Sequence, residues 1–246
     1  MELSRIIAVR NDKTIYRDKD KCIKVFMNDY SKADILNEAL NQARIEETGL
    51  NIPKILEVTM IDGKWAIVYE YIDGTPLSEL MEKNPDKTDE YIELLVDLQI
   101  KVHSLASPLL NRLRDRLNHK IAMSDLDATT RFALHARIED MPRHNKICHG
   151  DFNPTNIIIA KDGTPYIIDW SHATQGNASG DVATTYLSFL LKGDGEGAEK
   201  YLDQFCKKSE TEREYVLGWL PFVAAARSVR DKKDRDFLLS LVKTTK

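Results

Sequence analysis

The chain has 246 residues, 42% hydrophobic and 30% charged, an ordinary mixture for a folded protein long enough to bury a substantial core. Its 35 Lys and Arg against 39 Asp and Glu leave a formal net charge of -4, so no global basic field draws nucleic acid. Cys22, Cys148 and Cys206 are too scattered for a disulfide framework or a zinc knuckle, and no apolar run approaches the roughly 18 residues of a membrane span or forms a leader, which points to a cytoplasmic protein.

The first seventy residues read as short strands around one helix. Strands are expected at Arg5 to Val9, Thr14 to Tyr16 and Cys22 to Phe26, with turns at Arg10-Asn11-Asp12-Lys13 and at Asp18 to Lys21. Ser31 is the expected cap of a helix running to about Thr48, where Gly49 stops it. Its apolar stripe is Ile35, Leu36, Ala39, Leu40, Ala43 and Ile45. Lys54 to Met60 and Trp65 to Tyr71 follow as strands about an Asp62-Gly63 hairpin turn. Asp73-Gly74-Thr75-Pro76 then marks a boundary.

Beyond it the pattern is mainly helical. Thr88 would cap a helix with the stripe Tyr91, Leu94, Leu95, Leu98, Val102 and Leu105, ended before Pro108. Leu109, Leu113, Leu117 and Ile121 recur every fourth residue, and a further helix spans Asp125 to Arg137. Two β-prone runs, Asn156 to Ile159 and Tyr166 to Ile168, flank an Asp162-Gly163 turn. The tail from Ala198 is helical again, with a kink at Pro221 and a last helix near Asp231 to Val242.

That hairpin carries the chemistry. Asp151 and Asn156 lie on the approach to its first strand and Asp169 at the exit of its second. Phosphoryl transfer needs a group that orients the attacking hydroxyl and oxygen ligands for a magnesium ion on the phosphates. Asp151 suits the first task, and Asn156 with Asp169 the second. His149 is expected to hold the loop rather than to act as the base. An acidic pair beside a hairpin is usually a surface feature. Here H-x-D-x-x-x-x-N, a β-prone run, a D-G turn and I-I-D stand together.

This composite resembles the catalytic core of the aminoglycoside phosphotransferase and choline kinase family, small-molecule kinases of protein-kinase-like fold. The resemblance implies an α+β, bilobal chain. A small strand-rich nucleotide-binding lobe would span residues 1–72 and a larger helical catalytic and acceptor-binding lobe residues 73–246. It makes Asp151 the catalytic base and Asn156 and Asp169 the Mg2+ ligands. Lys24, in C-I-K-V-F, would touch the first phosphates of ATP, paired with Glu38 on the following helix. The backbone of Glu70-Tyr71-Ile72 would bind adenine, with Tyr69 and Ile72 as apolar walls. Asp181 of Gly180-Asp181 would order the catalytic region, and His103 would be a packed or capping histidine. Where protein kinases carry D-F-G this chain has Asp169-Trp170-Ser171, which argues against a protein substrate.

One departure concerns the nucleotide-covering turn, where glycine normally lets the backbone approach phosphates. No glycine occurs from Met1 to Thr48. Asn11 and Asp12 would then form the tight turn, Lys13 or Arg10 would add charge near the phosphates, and the choice between ATP and GTP stays open. The resemblance does not choose the acceptor, a hydroxyl-bearing small molecule such as an amino-alcohol, a sugar or an aminoglycoside. Glu210, Glu212, Glu214, Tyr215 and Trp219 would suit a cationic acceptor, Arg227 and Arg230 an anionic one, and the segment Trp170 to Asn177 would border it. No nucleic-acid or membrane partner is expected. A protein serine/threonine kinase and a catalytically weak nucleotide-binding regulator are the alternatives.

Overall fold

In the computed structural model the chain is described at Leu3, residues 5–10 and residues 12–243. Asn11, one of the two residues expected to shape the first turn, lies outside them. The N-terminal strands are β1 (Arg5–Val9), β2 (Lys13–Asp18) and β3 (Lys21–Phe26), followed by helix α1 (Lys32–Glu46). Ser31 caps α1 by accepting the Asp34 N–H at 3.4 Å, and Gly49 adopts φ +76° just beyond its end. Strands β4 (Ile55–Ile61) and β5 (Lys64–Glu70) meet at Asp62-Gly63, both residues left-handed at φ 49° and 75°. The five strands form one antiparallel sheet in the order β1-β2-β3-β5-β4.

The stretch expected as a boundary forms β6 (Gly74–Pro76) and leads into α2 (Leu77–Lys83). The helical part continues with α3 (Thr88–His103), α4 (Leu113–Ala122) and α5 (Ala128–Asp140). Thr88 does not cap α3: it is the first helical residue, and its hydroxyl donates to the Pro85 carbonyl at 2.8 Å. Strands β7 (Lys146–Cys148), β8 (Ile157–Ala160), β9 (Pro165–Ile167) and β10 (Thr174–Gly176) follow. Helices α6 (Ala178–Leu191), α7 (Gly195–Ser209), α8 (Arg213–Leu217), α9 (Leu220–Ser228) and α10 (Arg235–Lys243) complete the described chain. Pro221 lies in the first turn of α9 rather than kinking a longer helix.

Contacts divide this α+β chain into two compact units. The first contains residues up to Lys83 together with Pro154–His172; the second contains Asn84–Asn153 together with Ala173 onward. In the first unit the sheet separates two apolar layers. Ile23, Val25, Ala66 and Val68 pack on one face, and Phe26 and Ile67 pack with Ile35 and Ala39 of α1 on the other. The stripe expected on α1 is corrected here. Leu36 and Leu40 are 43% and 48% exposed, while Glu38, Asn41 and Gln42 are buried. Ile35, Ala39 and Ile45 of that stripe are buried as expected, and these polar groups, not the two leucines, complete the inward face. β8 pairs with both β6 and β9 in a three-stranded sheet.

In the second unit α6 is buried on nearly every side and packs with α7, α8 and α9. The spacing expected for α4 holds inside the helix, where Leu113, Leu117 and Ile121 are buried, whereas Leu109 precedes it and is 67% exposed. Strands β7 and β10 pair Cys148 with Thr174. Among the described residues no helix is long and apolar enough to cross a membrane. All three cysteines are free thiols.

Candidate functional site

In the first unit, strand alternation sets the site. Ile23 and Val25 point into one apolar layer, so Lys24 between them points to the side that carries α1. There its ammonium is paired directly with the Glu38 carboxylate; Lys24 is 5% and Glu38 3% exposed. The Tyr69 hydroxyl donates to the same Glu38 oxygen at 3.0 Å, while the other Glu38 oxygen is buried with no hydrogen-bond partner. Tyr69 is thus a partner of Glu38, packed against the apolar layer of Phe26, Ile35, Ala39 and Ile67.

Asp169 reaches this cluster from the β8–β9 hairpin. Gly163 turns the hairpin at φ +86°, and Asp162 accepts the Thr164 N–H at 2.9 Å. Ile157 pairs with Ile167, and the Ile168 N–H donates to the Asn156 carbonyl at 2.9 Å, so Asn156 and Asp169 emerge from the same end of the hairpin. Asp169 adopts the left-handed conformation at φ 61°. One of its oxygens accepts Lys24 Nζ at 3.1 Å, and the other lies 3.7 Å from Lys13 Nζ. Sequence reasoning pointed Lys13 towards phosphates, not towards Asp169.

The charges hold one another. Burial disfavours ionised Asp169, but Lys24 and Lys13 outweigh it and keep the carboxyl well below its usual range. Burial likewise opposes charge on Lys24, and Asp169 and Glu38 overcome it, raising Lys24 well above the ordinary lysine value. Lys13 is lowered, by burial first and then by Lys24. Burial and Glu38 push the Tyr69 phenol up. At the edge expected to bind adenine, the Glu70 N–H donates to the Lys54 carbonyl and the Tyr71 N–H to Asp20, each at 2.8 Å, and Ile72 is half-buried.

Asp151 belongs to the second unit. Its loop leaves β7 through buried His149 and through Gly150, which adopts φ +80°. The Asp151 N–H donates to His149 Nδ1 at 3.2 Å, and the Asn153 amide donates to the Asp151 carbonyl at 2.9 Å. His149 therefore holds the loop, as expected. Asp181 fastens it from α6: one oxygen accepts the Gly150 N–H at 2.6 Å, the other accepts His103 Nε2 at 3.0 Å and Gln99 Nε2 at 3.1 Å. One turn on, Thr185 donates to the Phe152 carbonyl at 2.8 Å. Burial resists ionisation of Asp181, and the hydrogen bond from His103 leads the groups that overcome it, so its acidity is strengthened.

Gln99 and Thr185 were not singled out in the sequence. Each lies four residues from a network member, Gln99 from His103 and Thr185 from Asp181, and that spacing was the available signal. Arg116 was also missed. Burial and Arg230 lower it to about 10, against the opposing pull of Asp151 and Asp181. Of the residues proposed for the acceptor, Glu210, Glu212 and Glu214 are exposed, whereas Trp219 is 3% exposed core. A cavity of about 470 Å³ in this unit is lined by Arg112, Arg143, His144, Gln175, Asn177 and Trp219, among others.

The first unit thus brings together Lys24, Glu38 and Asp169, with Asn156 on the same hairpin; Asp151 stands in the second unit's loop. Among the described residues no three His, Cys, Asp or Glu side chains cluster as a ready metal site.

The fold is protein-kinase-like, α+β, with a strand-rich N-terminal lobe and a helical C-terminal lobe. The chain belongs to the phosphotransferase enzyme family, whose model matches residues 8–217. An aminoglycoside-3'-phosphotransferase of type VIII is similar at TM-score 0.68 and 16% identity, covering 92% of this chain and 94% of that one. The choline kinase LicA from Streptococcus pneumoniae gives TM-score 0.63 at 17% identity, over 98% and 95% of the two chains. A thermostable mutant of aminoglycoside phosphotransferase APH(4)-Ia, in ternary complex with AMP-PNP and hygromycin B, gives 0.69 at 14% identity, over 99% and 93%. No curated protein matches the sequence.

Proposed function

We propose that the chain is an ATP- and magnesium-dependent kinase that transfers the terminal phosphate to a hydroxyl of a small molecule. The observation that carries this reading is the buried Lys24–Glu38 pair joined to Asp169. Ion pairing in a core is costly and gains little stability over apolar packing, so a three-membered charged set calls for a functional reason. Lys24, steadied by Glu38, would hold phosphate oxygens. Asp169 and Asn156 would hold the magnesium ion, which supplies neutralisation of charge on the transferring phosphoryl group. Asp169 fits that task because its carboxylate is ionised and 28% exposed. Glu70 and Ile72 would meet adenine through their backbone. Asp151 would orient the acceptor hydroxyl and take its proton.

In this reading residues 1–72 serve the nucleotide and residues 73–246 serve catalysis and the acceptor, in a cytoplasm that supplies both ATP and magnesium. The acceptor is a small amino-alcohol, sugar or aminoglycoside, and Asp169-Trp170-Ser171 in place of D-F-G disfavours a protein. A second reading, nucleotide binding with little turnover, draws on the glycine-free turn. GTP is the alternative donor.

A panel of such hydroxyl compounds with radiolabelled ATP separates the readings. Transfer to one of them should fall by about 10²–10⁴-fold in Asp151→Ala. Magnesium-dependent ATP binding without transfer to compounds or proteins would favour the second reading. Neither transfer nor nucleotide binding would remove both.

A further inference from the structure

We infer that Lys13 is a phosphate-binding residue of the nucleotide site, which exchanges its contact with Asp169 for the polyphosphate when metal and nucleotide bind. The inference rests on the nucleotide-binding reading above and extends it to a residue specific to this chain's glycine-free turn.

Lys13 opens β2 at the foot of that turn. Its position is pinned by the Arg10 N–H donating to its carbonyl at 2.8 Å, by the Met27 N–H donating to Asp12 at 2.9 Å, and by its register opposite Phe26. The side chain is 15% exposed, so it runs inward along the sheet instead of into solvent. Its ammonium lies 3.7 Å from Asp169, longer than a good hydrogen bond, whereas Lys24 holds the other Asp169 oxygen at 3.1 Å. Lys13 is therefore the looser of the two cations on this carboxylate.

The cluster is balanced as it stands: Lys13 and Lys24 against Glu38 and Asp169. A metal held by Asp169 would compete with Lys13 for the same carboxylate. A mostly buried ammonium that loses its counter-ion must find another, and the incoming phosphates provide one. Lysine suits such a transfer because its charge sits at the end of a flexible four-carbon stem. The turn itself lacks the glycines that would let backbone N–H groups close on the phosphates, so a side-chain cation supplies what the main chain does not.

The test compares wild type, Lys13→Met and Lys13→Arg by calorimetric titration with magnesium·ATP and with adenosine, which has no phosphate. Lys13→Met should weaken magnesium·ATP by about tenfold or more and leave adenosine within about twofold. Lys13→Arg should keep magnesium·ATP within about threefold of wild type. Unchanged magnesium·ATP affinity in Lys13→Met, or equal loss of both ligands, would overturn the inference and leave Lys13 a structural counter-ion. Lys13→Gln provides the same comparison if the methionine variant does not fold. Wild type that binds no magnesium·ATP would sink the nucleotide reading itself, an outcome distinct from the failure of Lys13 alone.

Discussion

Glu38 is the residue on which the first unit's charged cluster turns, because it answers Lys24 and Tyr69 with one oxygen while its other oxygen has no hydrogen-bond partner. Removing it would leave the buried Lys24 ammonium with Asp169 as its carboxylate and the Tyr69 phenol without the oxygen it donates to. We expect Glu38→Ala to lower unfolding stability by about 3–5 kcal/mol in urea titration, the usual cost of breaking a buried pair from one side. Glu79→Ala is the control: Glu79 pairs with Lys83 on the surface, side chains 46% and 63% exposed, and its loss should cost no more than about 0.5 kcal/mol. Equal effects would mean that the core pair is no more coupled than a surface one. At this scale Lys24 was legible, because a lysine amid apolar residues must find an anion, and the family resemblance pointed to Glu38 as that anion. Tyr69 was not, since a strand sequence does not say which face its aromatic will share with a carboxylate.

Helix α6 is the element that organises the second unit, and it is the one that periodicity did not reveal. Ala178 to Ala183, Thr185 to Leu187 and Phe189 are all buried, so no polar face breaks the run into a stripe. Its close packing is visible at Gly180, where an added Cβ would lie 2.9 Å from Leu113 Cδ2 and 2.9 Å from Trp219 Cε3. Gly180→Ala should therefore cost about 1–3 kcal/mol by denaturant midpoint, the usual range for overpacking. Gly195 opens α7 with nothing within 4 Å of an added Cβ, so Gly195→Ala should be neutral or stabilise by up to about 1 kcal/mol. A harmless Gly180→Ala would show that α4 and Trp219 yield more easily than their packing implies. The same limit explains α1: Leu36 and Leu40 fit an apolar stripe, but the inward face holds Ile35, Ala39 and Ile45 together with Glu38, which meets Lys24. Hairpins were read more surely, because Asp62-Gly63 and Asp162-Gly163 carry their turn geometry locally.

Across the whole molecule, each unit contains a carboxylate whose acidity is strengthened, half-buried Asp169 in the first and buried Asp181 in the second. A depressed carboxylate stabilises the fold fully above its unfolded pKa, about 3.9, and loses that contribution as pH falls through its lower folded value. Lys24 is raised, so its contribution is complete below about 10.4 and is lost as pH rises through its higher folded value. Stability should therefore be flat with respect to these groups between about pH 5 and 9 and fall below about pH 4. Urea midpoints measured from pH 2 to 9 check this, and Asp181→Asn should shallow the acid limb. A maximum near pH 3 would contradict the assigned shifts.

Local chemistry was enough to reveal the turns, most strand and helix positions and the motif from His149 to Asp169, because those depend on neighbours a few residues away. The same motif, with Lys24 and Glu38, points to phosphoryl transfer from the sequence alone. Long-range packing decided what each group meets: that Tyr69 turns to Glu38, that Asp181 collects Gly150, His103 and Gln99, and that Lys13 stands against Asp169. These partners lie from 31 to more than 150 residues apart, and burial makes their choice matter, since an ion or amide removed from water must be matched by whichever group the fold brings to it.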